Sequence, residues 1–431
     1  MDEVAGKSIV TSPSFRRYVV FMLVLVTVVG YVDRQLMTIL LEPIRHDLRL
    51  SDTQMGLLTG TFFSLFYVVS GIPIARFSDV GNRRAIIAIC TAAYSLATGV
   101  CGLAQSFWQF ATARMFVALG EAGTVPAGSS MIADIFPANQ RVRIFALLSC
   151  GSAVGIGLGI YLGGVLNLLL GWRMVFVVVG VPSFLIAMLF YFTVPEPLRP
   201  ALADGAVRPS TAAAMMSFMR LPTYWSTTII AVFGGAASYA VLSWMPTFLI
   251  RVHGMSTRNV GIDMSLITVL GLVTGNLSTG LLTHKLSAKD VRWLPWISGG
   301  GLFCCVPLGL LSFFSDTVGG SLVFFGAFMV LLGFYAPPLY TIAVGLVESH
   351  SRALVSSTVP ICFSIGGALG PLFVGVMNDR LKPLYGDGAI RYSLAASLAF
   401  LLVASVASLV AGTYISGEYR AKEAIPSAAH V

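Results

Sequence analysis

The stretch Arg114–Ala127, RMFVALGEAGTVPA, decides how the rest of the chain is read. It lies inside a long apolar run, yet it carries an arginine and a glutamate. Arg114 and Glu121 are seven residues apart. In a helix they therefore share a face, roughly 10 Å apart along the axis. Gly120, Ala122 and Gly123 surround the glutamate and let a second helix come close. Pro126 cannot donate to the carbonyl of Ala122, which loosens the backbone one turn further on. Ionisable groups at membrane depth are costly, and they face a bundle interior or a wet cavity.

The composition says that this depth is real. The chain has 431 residues, of which 56% are hydrophobic and only 11% charged, and its mean hydropathy is +0.84. A soluble domain carries about 25% charged residues. The apolar runs are long and lack the alternation of a barrel strand. An all-α membrane protein follows, with twelve spans expected at 17–41, 52–76, 84–103, 107–133, 142–168, 172–193, 222–250, 258–283, 292–314, 318–346, 353–378 and 390–416. The first apolar run, Tyr18–Leu41, reads as a retained span and not a cleavable signal.

A net charge of +8 suggests nucleic acid, but the basic residues sit mainly in short loops. With both termini inside, inner loops and tails hold 17 Lys and Arg and outer loops hold 8. That bias sets both termini in the cytoplasm and predicts a multi-pass protein of the inner (plasma) membrane, with no nucleic-acid partner. The organisation expected is a tail at 1–15, a six-helix bundle at 16–193, a Pro-rich cytoplasmic linker at 194–221, a second six-helix bundle at 222–416 and a tail at 417–431. The halves look duplicated. Arg141, Gly155, Gly159 and Gly164 match Arg352, Gly366, Gly370 and Gly375 at a constant offset of 211, and Ser51 and Gly56 match Ser256 and Gly261 at 205. Duplicated bundles with a site near the midplane are the architecture of secondary transporters.

Asp33 and Arg34 follow only 15 uncharged residues from Tyr18, about 22 Å of helix, so they too lie within the membrane. With Arg114 and Glu121 they form a set of four charges that sums to zero. A structural salt bridge docking the first and fourth spans is the plain reading. The functional reading is proton exchange by two acids beside two arginines, which suit a carboxylate or phosphate. Gly151, Gly155, Gly159 and Gly163 recur every four residues and form a helix-packing stripe. Pro337 and Pro338 predict a bend near Gly333. Tyr239 and Trp244 either line a substrate path or belong to an interfacial aromatic belt. The six cysteines read as buried small hydrophobes, and the five histidines make no metal spacing. Gly6–Ser8 lacks the upstream glycine of a phosphate loop. No enzyme constellation, metal or cofactor is expected.

The loop Ala75–Arg84, ARFSDVGNRR, resembles the signature loop of the major facilitator superfamily. YVDRQ (Tyr31–Gln35), LEPIRHDLRLSDTQMGLLTG (Leu41–Gly60), GIPIARFSD (Gly71–Asp79), GNRR (Gly81–Arg84), ARMFVALGEAG (Ala113–Gly123), GWR (Gly171–Arg173), PEP (Pro195–Pro197) and HGMST (His253–Thr257) are similar to its spinster-type branch. The organic anion/cation symporter branch shares the DR pair and the GEA. Val80 and His284 depart from the superfamily pattern in the two inner loops.

The resemblance implies the major facilitator fold, alternating access and a monomer. Asp33 and Glu121 would be the protonation sites, and Arg34 and Arg114 their partners or anion contacts. Tyr239 and Trp244 are the second-half candidates for substrate contact. Asp79, Arg83 and Arg84 would hold the cytoplasmic gate, beside the matched pair Arg141 and Arg352. The expected function is proton-coupled transport of an amphipathic anion such as a lysophospholipid or sphingoid phosphate, driven by a proton gradient. A symporter of small organic acids is the first alternative, and a non-transporting receptor or structural protein the second.

Overall fold

The computed structural model describes residues 12–197, 219–345 and 352–423. Among them every regular element is helical. Caps and breakers set the boundaries. Ser12 accepts from the Phe15 amide at 3.2 Å and Pro13 opens α1, Pro13–Ile39. A short α2, Leu41–Leu48, ends where Arg49 turns left-handed at φ 52°. Ser51 and Gln54 form a reciprocal capping box for α3, Asp52–Gly56, the motif that satisfies two orphan amides at once. A π-turn, Leu57–Thr61, leads into α4, Phe62–Val80. Asn82 and Ser106 cap α5, Arg83–Cys101, and α6, Phe107–Ile135. The 56-residue α7, Ala138–Thr193, is two spans fused at Gly171, whose φ of 72° makes the turn between them.

The second half repeats the pattern with α8, Pro222–His253, α9, Thr257–Ser287, α10, Trp293–Phe313, α11, Val318–Leu332, α12, Ala336–Gly345, α13, Arg352–Tyr385, α14, Ala389–Ser397, and α15, Ala399–Glu423. Ser256 accepts from the Asn259 amide at 3.2 Å, so the matched serines both cap the helix that follows them. The bend expected at Pro337 and Pro338 is there: α11 stops at Leu332 and α12 starts at Ala336.

Nine stretches among the described residues are long and apolar enough to cross a membrane; two of them, of 51 and 63 residues, each hold two spans. Adding α6, which carries Arg114 and Glu121 in its middle, makes twelve. Large apolar side chains such as Phe192, Leu169 and Val323 stand on helix surfaces with nothing packed over them, as a bilayer-facing surface requires. Cys150 and Cys304 share that surface and Cys90 is half-buried, so the expectation that the six thiols are buried holds for Cys101, Cys305 and Cys362 only.

The chain divides into two compact units. One comprises Met1–Asp204 with Met245–Val269, and the other Gly205–Trp244 with Leu270–Val431. The first unit has an apolar core of Val19, Met22, Leu23 and Val26 from α1, Ile87 from α5, Met131 and Ile132 from α6, and Phe190 from α7. Its most intimate seam is α1 on α7. A Cβ on Gly155 would lie 2.6 Å from the Val28 carbonyl, and one on Gly159 2.6 Å from the Val32 carbonyl. The predicted stripe therefore seats the helix that carries Asp33 and Arg34. In the second unit serines stitch the helices: Ser405 donates to the Gly299 carbonyl at 2.9 Å and Ser408 to that of Pro295 at 2.5 Å.

Candidate functional site: a crossed charge quartet

The four intramembrane charges meet inside the first unit, and they pair crosswise. Arg34 of α1 reaches Glu121 of α6, with Nη2 and Nε at 2.6 and 3.2 Å from Oε2. Arg114 of α6 faces Asp33 of α1, but Nη1 stops 3.9 Å from Oδ2, which is an ion pair and too long for a hydrogen bond. Gly120 makes room for this meeting: a Cβ there would lie 2.8 Å from the backbone of Cys90 and Tyr94, so α5 and α6 touch beside Glu121. Asp33 and Arg114 are 1% exposed and Glu121 5%, while Arg34 keeps 20%.

Aromatic rings frame both arginines. The Arg34 guanidinium lies 4.8 Å from the Phe63 ring centroid and 5.4 Å from those of Tyr31 and Tyr67. Arg114 lies 5.1 Å from the Phe63 centroid, so both cations contact one ring. Such contacts hold a cation without neutralising it. The remaining carboxyl contact is Thr98 Oγ1, which donates to Asp33 Oδ1 at 2.6 Å. Asp33 Oδ2, Glu121 Oε1 and Arg114 Nε and Nη1 are buried with no hydrogen-bond partner. Buried polar atoms are rarely left so. The quartet thus holds open acceptors and open donors together.

Ion clusters close the two ends of this unit. At the end where α1 begins, Arg83 is fully buried. Its Nε donates to Glu196 at 2.9 Å, its Nη2 to the Pro197 carbonyl at 3.0 Å, and it is paired with Asp134. Glu196 also accepts from the Arg84 amide at 2.7 Å, and the Arg84 guanidinium lies over Tyr191. Arg141 caps the end of α6 through the carbonyls of Phe136 and Ala133 at 2.8 and 2.6 Å. The side chains of Asp79 and Arg352 lie outside the described residues.

At the far end, Arg251 of α8 grips Asp52 with two nitrogens at 2.6 and 2.8 Å and Glu42 at 2.7 Å. Arg45 contacts the same two acids at 2.7 and 3.1 Å. Two acids and two arginines again sum to zero.

Residues 23–371 match the Major Facilitator Superfamily. The chain belongs to that superfamily. It is 32% identical over 405 residues to an MFS-type efflux pump of Mycolicibacterium smegmatis, covering 93% of this chain and 92% of that one. It is 28% identical to a probable galactarate/D-glucarate transporter of Bacillus subtilis, covering 90% and 92%. Its fold superposes with a TM-score of 0.85, at 28% identity over 94% of this chain and 99% of the other, on a bacterial homolog of the human lysosomal transporter spinster, crystallised inward-facing and unoccupied. Within the superfamily this is therefore a transporter of the spinster type, a multi-pass membrane protein and not an enzyme.

In this superfamily member the second-half candidates are placed differently from the quartet. Trp244 is completely buried and its indole nitrogen donates to the Pro371 carbonyl at 3.0 Å, a packing role within the second unit. Tyr239 is half-buried on the same helix, α8. Sequence reasoning missed Thr98, Phe63 and Tyr67, which lie far from the charges in the chain. It also missed the partners of Arg251, which counts in the sequence as one more loop cation. Tyr31 was within reach, since it precedes Arg34 by one helical turn.

Proposed function

We propose that this transporter is a proton-coupled carrier of an amphipathic anion, of lysophospholipid or sphingoid-phosphate chemistry, working by alternating access in the cytoplasmic membrane. The observation that carries the reading is the crossed quartet with its unmatched atoms. Two buried acids, each with one oxygen unpartnered, can take up protons; two arginines held on aromatic faces keep cationic charge for an anion. An arriving anion at Arg34 or Arg114 releases an acid from its pair, and a protonated acid releases an arginine. That exchange couples the two cargoes. The rings of Tyr31, Phe63 and Tyr67 supply apolar contact beside the cation, which suits a charged headgroup on an apolar tail.

A second reading has its own support: the resemblance to a probable galactarate/D-glucarate transporter favours small organic acids on the same arginines. Thermal unfolding of the purified protein separates the two, with lysophospholipids and sphingoid phosphates in one panel and short organic acids in the other. A ligand at 100 times its dissociation constant stabilises by about 2.7 kcal/mol. A shift with the lipids that is lost in Arg114→Ala supports the first reading. A shift confined to the short acids overturns it in favour of the second.

A further inference from the structure

Thr98 has one proton and two acceptors within reach. Its Oγ1 lies 2.6 Å from Asp33 Oδ1 and 2.8 Å from the backbone carbonyl of Tyr94. The second contact alone is ordinary: Ser78, Ser95 and Ser183 back-bond to the carbonyl four residues earlier in the same way. Thr98 adds to it a buried carboxylate on another helix. Among the described residues it supplies the side-chain hydrogen bond that Asp33 has, because Oδ2 has none and Arg114 stands 3.9 Å off.

A hydroxyl is one donor and two acceptor sites, and its hydrogen rotates. With Asp33 ionised, Oγ1–H points at Oδ1. With Asp33 protonated on Oδ1, the carboxyl O–H donates to Oγ1, and the threonine hydrogen turns to the Tyr94 carbonyl. Both states use the same heavy-atom positions. Thr98 ends each cycle with the proton it began with. The charged and titratable groups around Asp33 are Arg34 on its own helix, Arg114 and Glu121 from α6, and Tyr94 and Cys101 from α5. The glycines of the α7 stripe pack on other α1 residues, Val28, Tyr31, Val32 and Gln35.

We infer that Thr98 is the positioning residue for proton uptake and release at Asp33, holding the carboxyl in place in both protonation states by reversing its own hydrogen bond. The inference rests on the proton-coupled reading above. It predicts that a residue without a hydroxyl fails and that serine succeeds.

The test is infrared difference spectroscopy of the full-length protein on a pH step. The C=O stretch of the protonated Asp33 carboxyl is identified by its disappearance in Asp33→Asn. In Thr98→Val that band moves to higher wavenumber, as a carboxyl without a hydrogen-bond partner does, and in Thr98→Ser it returns to the wild-type position. Proton-driven uptake into proteoliposomes falls ~10-fold or more in Thr98→Val, the scale of one lost bond to a charged group, and stays near wild type in Thr98→Ser. Thr98→Ala gives the same band shift and serves if the valine variant does not fold. A band unmoved in both variants overturns the role of Thr98 and leaves proton coupling standing. Absence of any Asp33 band at every pH overturns this inference together with the role of Asp33 in coupling, and leaves Glu121 as the proton site.

Discussion

At the scale of single residues, the four charges are legible in the sequence and their pairing is not. Asp33, Arg34, Arg114 and Glu121 stand out because nothing else in their runs is charged, and the cost of burial makes each one conspicuous. Neighbours in sequence do not pair, however: Arg34 sits beside Asp33 in the chain and bonds Glu121. The helix turns adjacent side chains about 100° apart, so only the packed structure chooses partners. The unequal lengths make a prediction. A double-mutant cycle on thermal unfolding, with Arg34→Ala and Glu121→Ala, gives a coupling in the upper part of the ~0.5–3 kcal/mol range for contacting residues. The Arg114–Asp33 cycle gives less, because that pair is open at 3.9 Å. Equal couplings contradict the asymmetry. Function follows the acids: Asp33→Asn and Glu121→Gln remove the pH dependence of uptake, and wild-type rates at all pH values in both variants contradict the proton role.

At the scale of elements, the glycine stripe was readable by its period, and the seam it makes is where the quartet gets its precision. Gly159 admits the Val32 carbonyl one residue before Asp33. Gly159→Val therefore pushes α1 outward; overpacking of this kind costs about 1–3 kcal/mol, and uptake falls with it. Gly280→Ala, where a Cβ meets nothing within 4 Å, leaves the unfolding temperature unchanged. The end clusters were harder to read. Glu42, Asp52 and Arg251 look like loop charges, and the partners lie 209 and 199 residues apart in the chain. Only the burial of Asp52 reveals the cluster. Arg251→Ala strands two acids on Arg45, and removing one partner of a buried pair costs about 3–5 kcal/mol. Hydrogen exchange is the measurement: Leu41–Gly56 and Thr247–Gly261 exchange faster in the variant, while α10 and α15 do not change.

At the scale of the whole molecule, duplication was visible in constant offsets, and the serine caps of α3 and α9 give it a physical meaning. The division into units was not visible, because the break in composition falls at the linker whereas the contacts place Met245–Val269 with the first unit. Fragments 1–204 and 205–431, coexpressed as separate chains, should therefore copurify through that segment, and Arg251→Ala should weaken the recovery. Two independent fragments would contradict the assignment. Helices α8 and α9 each carry residues assigned to both units, and they differ in local stiffness. In α8 the transfer falls between Trp244 and Met245, just before Pro246, whose ring strips the Leu242 carbonyl of its helical partner. In α9 it falls at Val269–Leu270, where no proline interrupts the helix and Gly271 is the next residue. A helix bends most easily where an i→i−4 bond is missing, so bending concentrates near Leu242 in α8 and spreads along the chain in α9.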